Sequence, residues 1–197
     1  MENSENKKNN FFIKNKVLII ILGIVLFLGF YSVNIYNKLV VLSEGVDNKW
    51  AQVDNQLQRR YDLIPNLVSS VKGAMKQEKE VFGKLAEARS HYAGAVSQKE
   101  KMIAGQEMGS ALSRLLVVME NYPDLKSTET VKTLMAQLEG TENRLSVARK
   151  DYNDEVKSYN LIVKRFPTSL MAKLFGFGYK DYFKIESGVE KAPKVNF

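Results

Sequence analysis

Residues 17–37, VLIIILGIVLFLGFYSVNIYN, carry no charged side chain. A run of this kind leaves the backbone few options. In hydrocarbon every N–H and C=O must be bonded within the chain, which a single segment achieves only as a helix. Twenty-one residues rising 1.5 Å each span about 31 Å, close to the roughly 30 Å of a bilayer core. A cleaved leader shares the basic start and apolar middle, but this run is long, and Phe30-Tyr31-Ser32-Val33-Asn34 offers no small-x-small cleavage pair. The segment therefore reads as an uncleaved, single-pass anchor, with Tyr31 and Tyr36 suited to an interfacial depth. Residues 1–16 form a short polar tail holding Lys7, Lys8, Lys14 and Lys16 against Glu2 and Glu5. Only Lys38 and Lys49 follow the run within a comparable distance, so the positive-inside rule predicts a cytoplasmic N-terminus and an extracytoplasmic domain. The bias is small, and the reverse orientation stays open.

Beyond the anchor the hydrophobic period is helical throughout. Val131, Leu134, Leu138, Thr141, Leu145, Ala148, Tyr152, Val156, Tyr159, Val163 and Phe166 recur at steps of 3 or 4, which keeps one helix face turned inward. Ser127 can cap that helix and Pro167 can stop it. Tyr36, Leu39, Ser43, Val46, Trp50, Val53, Leu57, Tyr61, Ile64, Val68, Val71 and Met75 make a similar stripe, with no flexible linker between it and the anchor. Pro65 predicts a kink there, or else a new helix starting near Asp62. A shorter helix is expected over Gln77–Ala95, with Val81, Leu85, Ala88, Tyr92 and Ala95 inward. Ser97 and Glu100 have capping-box spacing and open a further helix with Met102, Gly105, Gly109, Leu112, Leu116 and Met119 inward. Its two glycines suit close approach by a neighbour or mark an exposed weak spot. Asn121-Tyr122-Pro123-Asp124 ends it. The fold class is all-α: one N-terminal transmembrane helix, then an antiparallel up-and-down four-helix bundle of long, coiled-coil-like helices. The expected organisation is a tail over 1–16, the span over 17–37, the bundle over 38–183 and a C-terminal tail over 184–197.

Chemistry is harder to find. The absence of Cys excludes disulfides, thiolate metal sites and a cysteine nucleophile, and one histidine, His91, is too few for a His-rich metal site. The net charge of +7 is spread through helices that also carry acids, without a basic arm or RNA-binding fingerprint, so no nucleic acid is expected. Gly105/Gly109 and Gly176/Gly178 lack phosphate-loop or dinucleotide spacing, and neighbours such as Asp154-Glu155 do not face one site on a helix. No catalytic constellation, cofactor, metal or small-molecule substrate is expected.

Three polar features stand out. Arg59-Arg60-Tyr61-Asp62 reads either as a contact for phosphate or an acidic partner, or as interhelical pairs bracing Pro65, with Asp62 pairing an arginine; the structural reading is preferred. Asn153 and Asn160, seven apart beside Tyr152 and Tyr159, can fix helix register through polar contacts. Lys173, Phe175, Phe177, Tyr179 and Lys180, with Leu170, Leu174, Tyr182 and Phe183 around them, mix aromatics and lysines as a membrane-surface segment would. The alternative, that they fold back to close the open end of the bundle, is preferred.

Trp50-Ala-Gln-Val-Asp54, Gln56-Leu-Gln-Arg-Arg-Tyr-Asp-Leu-Ile-Pro-Asn-Leu-Val68, Glu120-Asn-Tyr-Pro-Asp-Leu-Lys126, Gly140-Thr-Glu-Asn-Arg144, Ala148-Arg-Lys-Asp-Tyr-Asn153, Tyr159-Asn160, Phe166-Pro167 and Phe175-Gly-Phe177 together resemble the LemA family of bacterial membrane proteins. The resemblance runs from Tyr36 to Val195 and implies a short tail, one span and an antiparallel helical bundle. It implies no enzymatic activity and supplies no active site to map. The sequence thus points to a non-enzymatic, membrane-anchored helical scaffold or protein-interaction module, with membrane lipid and protein partners or its own copies as the expected contacts. A single-span sensor that couples the membrane helix to rearrangement of the bundle is the alternative.

Overall fold

The computed structural model describes the backbone of residues 2–184 and the side chains of residues 18–184. The charges of the N-terminal tail and residues 185–197 lie outside the described residues. Among the described residues six helices follow one another: α1 Glu2–Val71, α2 Lys79–Gly94, α3 Gln98–Met119, α4 Pro123–Lys126, α5 Glu129–Lys164 and α6 Thr168–Leu174. No strand occurs among the described residues.

α1 continues through Pro65, so a new helix beginning near Asp62 is excluded. Its environment changes along its length. Leu18, Phe27 and Phe30 are 65%, 67% and 73% exposed, whereas Leu39, Val46, Val53, Leu57, Ile64, Leu67 and Val71 are fully buried. The buried stripe passes through Arg60 and Leu67 where the periodicity suggested Tyr61 and Val68. α3 has a capping box with both halves made: Ser97 Oγ accepts from the Glu100 N–H at 3.2 Å, and the Glu100 carboxylate accepts from the Ser97 N–H at 2.9 Å. The α3 stripe is rotated slightly from expectation, because Met108 and Leu115 take the deepest places instead of Gly109 and Leu116.

Ser127 does not cap α5. It ends α4, where its hydroxyl donates to the Asp124 carbonyl at 2.7 Å, and α5 starts at Glu129. α5 ends at Lys164, two residues before Phe166, so that ring leaves the stripe and is 76% exposed. The other expected α5 positions are buried, apart from a half-buried Leu134.

The chain divides into two compact units. The first takes α1 up to Glu44 with Ser158–Tyr179; the second takes Gly45–Lys157 with the segment from Lys180. In the second unit the α1 portion touches every other long helix. It meets α5 at Gly45–Glu155, Lys49–Asp151, Trp50–Tyr152 and Gln56–Arg144, a falling register that makes the two antiparallel. Asp54 takes Lys101 of α3 at 2.7 Å, and Leu57 sits against Gly105, a rising register that makes α3 parallel to α1. On α2, Tyr92 stacks obliquely on Tyr61 at 5.6 Å and donates to Asp54 at 3.1 Å, while the Arg89 guanidinium lies 4.3 Å over the Tyr61 ring. Aromatic pairs such as Trp50–Tyr152, edge to face at 5.7 Å, add about 0.5–1.5 kcal/mol beyond the area they bury.

Candidate functional site

In the second unit the motif around Arg60 forms a buried charge cluster. Arg60 follows Leu57 by three residues and precedes Ile64 by four, so helix geometry turns it inward, and it is 2% exposed. The α3 glycines make its room. A Cβ on Gly109 would lie 2.9 Å from Arg60 Nη1, and one on Gly105 would lie 2.8 Å from Leu57 Cδ2. Close approach to these glycines is therefore real, and it is made by side chains of α1. Arg60 Nη1 donates to the Gly105 carbonyl at 3.4 Å, and Arg60 Nη2 pairs with Glu142 of α5. Arg149 Nη1 stands 3.6 Å from the other Glu142 oxygen. One half-exposed carboxylate thus serves two guanidiniums. Burial, then the charge of Arg149, brings Arg60 down to about 10, and burial brings Arg149 to about 10. Both keep their protons at neutral pH. Arg59 is exposed, and Asp62 accepts from Gln58 at 2.9 Å; among the described residues it makes no ion pair with either arginine.

Asn153 bonds the backbone of a segment that follows α6. Its Nδ2 donates to the Phe183 carbonyl at 2.9 Å, and its Oδ1 accepts from the Phe183 N–H at 2.8 Å. This two-way pair holds a strap without regular secondary structure, Lys180–Lys184, on α5. Tyr152 donates to the Asp181 carbonyl at 2.9 Å, Lys180 pairs with Asp47 at 2.7 Å, and the Gln106 amide donates to the Lys184 carbonyl. The Phe183 ring is 2% exposed, with the Arg149 guanidinium 4.5 Å above it. Burial, aided by Asp181 and Asp47, pushes the Tyr152 phenol up to about 12. Asn160 lies half-buried in the first unit.

In the first unit α6 runs beside the end of the apolar stretch. Ser32 Oγ lies 3.6 Å from Met171 Sδ, and the Tyr36 ring meets Phe175 at 5.2 Å and Phe177 at 5.9 Å, edge to face in both. Tyr159 donates to the Gly178 carbonyl at 2.9 Å, and Gly176, with φ of 78°, makes the turn that lets the chain leave α6. Leu170, Leu174 and Tyr179 stay 57%, 73% and 66% exposed, and Lys173 is exposed with them.

His91 pairs with Glu107 at 2.8 Å, which raises the imidazole above its ordinary value. No group of three or more metal-ligating side chains occurs among the described residues. The Arg60 position was within reach of the sequence, because steps of 4 and 3 pass equally well through 57, 60 and 64. The signal that would have chosen it is the pair of glycines on α3. The Asn153–strap pair had no such signal, since it depends on backbone atoms thirty residues away.

Among the described residues the architecture is helical without strands, and one exposed apolar helix is long enough to cross a bilayer, as in a membrane-associated helical protein. The LemA family model matches residues 49–197, and the chain belongs to that family. Magnetosome protein MamQ 2 and Magnetosome protein MamQ 1 of Paramagnetospirillum magneticum are each 27% identical to it over 194 residues, covering 85% of this chain and 71% of theirs. Magnetosome protein MamQ of Magnetospirillum gryphiswaldense is 25% identical over 174 residues, covering 75% of this chain and 64% of its own.

Proposed function

We propose that this chain is a non-enzymatic, single-span scaffold that holds a helical bundle, residues 38–183, at a membrane for protein partners or further copies of itself. The observation that carries the reading is α1, one unbroken helix with exposed apolar side chains from Leu18 to Phe30 and buried ones from Leu39 to Val71. Supporting it, the polar clusters are occupied by internal pairing: Arg60 and Arg149 with Glu142, and Asn153 with the strap. The lysine bias around the apolar run favours a cytoplasmic N-terminus with the bundle on the other side.

On this reading α6 and residues 175–179 form a membrane-facing surface in the first unit. Leu170, Leu174 and Tyr179 face the interface with Lys173 at headgroup level, while Phe175 and Phe177 lean on Tyr36. Amphipathic segments of this composition rest at the boundary between headgroups and acyl chains.

Because the chain has no Cys, single cysteines or photo-crosslinking residues can be placed at will. Crosslinkers at Val96, Val117 and Val147, which are 91%, 70% and 61% exposed, should trap a protein neighbour or a second copy in intact membranes. If all three yield only the uncrosslinked chain, the scaffold reading fails. Protease protection in intact cells reads the orientation, and cleavage only after permeabilisation would reverse it.

A further inference from the structure

We infer that a groove in the first unit, between α1 and the end of α5, binds the headgroup and upper acyl region of an anionic phospholipid. The groove has a volume of about 620 Å³ and is lined by Lys38, Leu42, Ser158, Leu161, Ile162, Lys164 and Arg165. Its chemistry is that of a phospholipid: three cations around an aliphatic floor, with no acidic side chain in the lining. Among the described residues, no carboxylate comes within ion-pair distance of Lys38, Lys164 or Arg165. Lysines and arginines elsewhere in the chain are often neutralised, as Lys49, Lys101 and Lys180 are by Asp151, Asp54 and Asp47. The end of α5 carries a partial negative charge of about half an electron, which three full cations exceed.

The depth fits the same ligand. Lys38 is the first charge after the apolar run, and the helix climbs about 6 Å from Lys38 to Leu42. A headgroup layer is about 5–7 Å deep on each side of the hydrocarbon. Leu161, 59% exposed, and the half-buried Leu42 and Ile162 then meet the upper methylenes of the acyl chains, while the cations meet the phosphate. A soluble anion would satisfy the cations and leave the aliphatic floor wet, so the lipid is the better occupant.

The inference rests on the membrane placement of α1, and the test separates the two. The full chain is incorporated into nanodiscs of phosphatidylcholine with a minor share of phosphatidylglycerol, and co-purifying lipid is quantified by native mass spectrometry. Incorporation is read from the same sample by size exclusion. Phosphatidylglycerol should be retained over phosphatidylcholine, and each cation removed should lower that preference about fivefold, as for basic residues at anionic surfaces. The variant K38Q/K164Q/R165Q should lose it. A control of equal charge loss, K72Q/K76Q/K132Q, should keep it, and circular dichroism should show both variants equally helical. Equal loss in the two variants would mean diffuse attraction and overturn the groove. So would displacement of the lipid by inorganic phosphate alone, or retention of phosphatidylglycerol by the triple variant. Failure of the wild-type chain to enter nanodiscs would instead sink the anchor reading.

Discussion

Neutralising Glu142 should destabilise the helical core more than removing the arginine it serves. Arg60 is 2% exposed and has its carboxylate partner on α5, while Glu142 is 52% exposed. Unit charges 4 Å apart at an effective dielectric of about 20 attract by about 4 kcal/mol. Because solvent reaches half of Glu142, about half of that survives, so Glu142→Gln should cost about 2 kcal/mol. Most of that loss is the burden of leaving Arg60 buried beside Arg149 with no counter-charge. Arg60→Met removes the burden with the charge. It fills similar volume between Leu57 and Ile64, gives up one long bond to the Gly105 carbonyl, and should cost less than about 1 kcal/mol. The double variant should match Arg60→Met, a coupling of about 2 kcal/mol. In detergent-solubilised full-length chain, thermal melts by circular dichroism should show Glu142→Gln lowered by about 4–8 °C, with little change on adding salt. If Arg60→Met proves as costly as Glu142→Gln, or the two effects simply add, the buried cluster is not held by this pairing.

Glycine replacements should split by what stands opposite. Gly45→Ala meets only the carboxylate end of Glu155, at 2.8 Å, which can swing aside, so helix propensity should win and raise stability by about 0.5–1 kcal/mol. Gly105→Ala meets fully buried Leu57 and should lose about 1 kcal/mol net; urea unfolding would distinguish the two. Ser97→Ala removes one half of the capping box and should cost about 1 kcal/mol, with faster amide exchange confined to the first turn of α3. His91, the sole histidine, should titrate above its ordinary value by NMR and fall back towards it in Glu107→Gln. Since the folded value is raised, the contribution of this pair is complete below the unfolded value near 6.5 and disappears as pH rises through the folded one. Asn153→Ala should free the Lys180–Lys184 strap, seen as deprotection of the Phe183 amide with α5 unchanged; continued protection would show that the side-chain pair does not hold it.

The sequence by itself determined the features that one element can encode. An uncharged run long enough to cross a bilayer has one backbone solution. A stripe repeating at 3 and 4 residues makes α5 helical, and Ser97 with Glu100 opens α3, because period and capping involve only residues within a turn of one another. Where an element ended was already less legible: Ser127 closes α4 instead of opening α5, and Phe166 falls outside the helix that its spacing would extend. Tertiary structure decided what the polar residues pair with. Two interleaved stripes run down α1, and the choice of Arg60 over Tyr61 was made by glycines on α3 and a carboxylate on α5. Asn153 found its partner in the backbone of a segment thirty residues on, which no side-chain pattern announces. Helix periodicity follows from local geometry, whereas burying a charge or an amide is favourable only when another part of the chain completes it, and that completion exists only in the folded molecule.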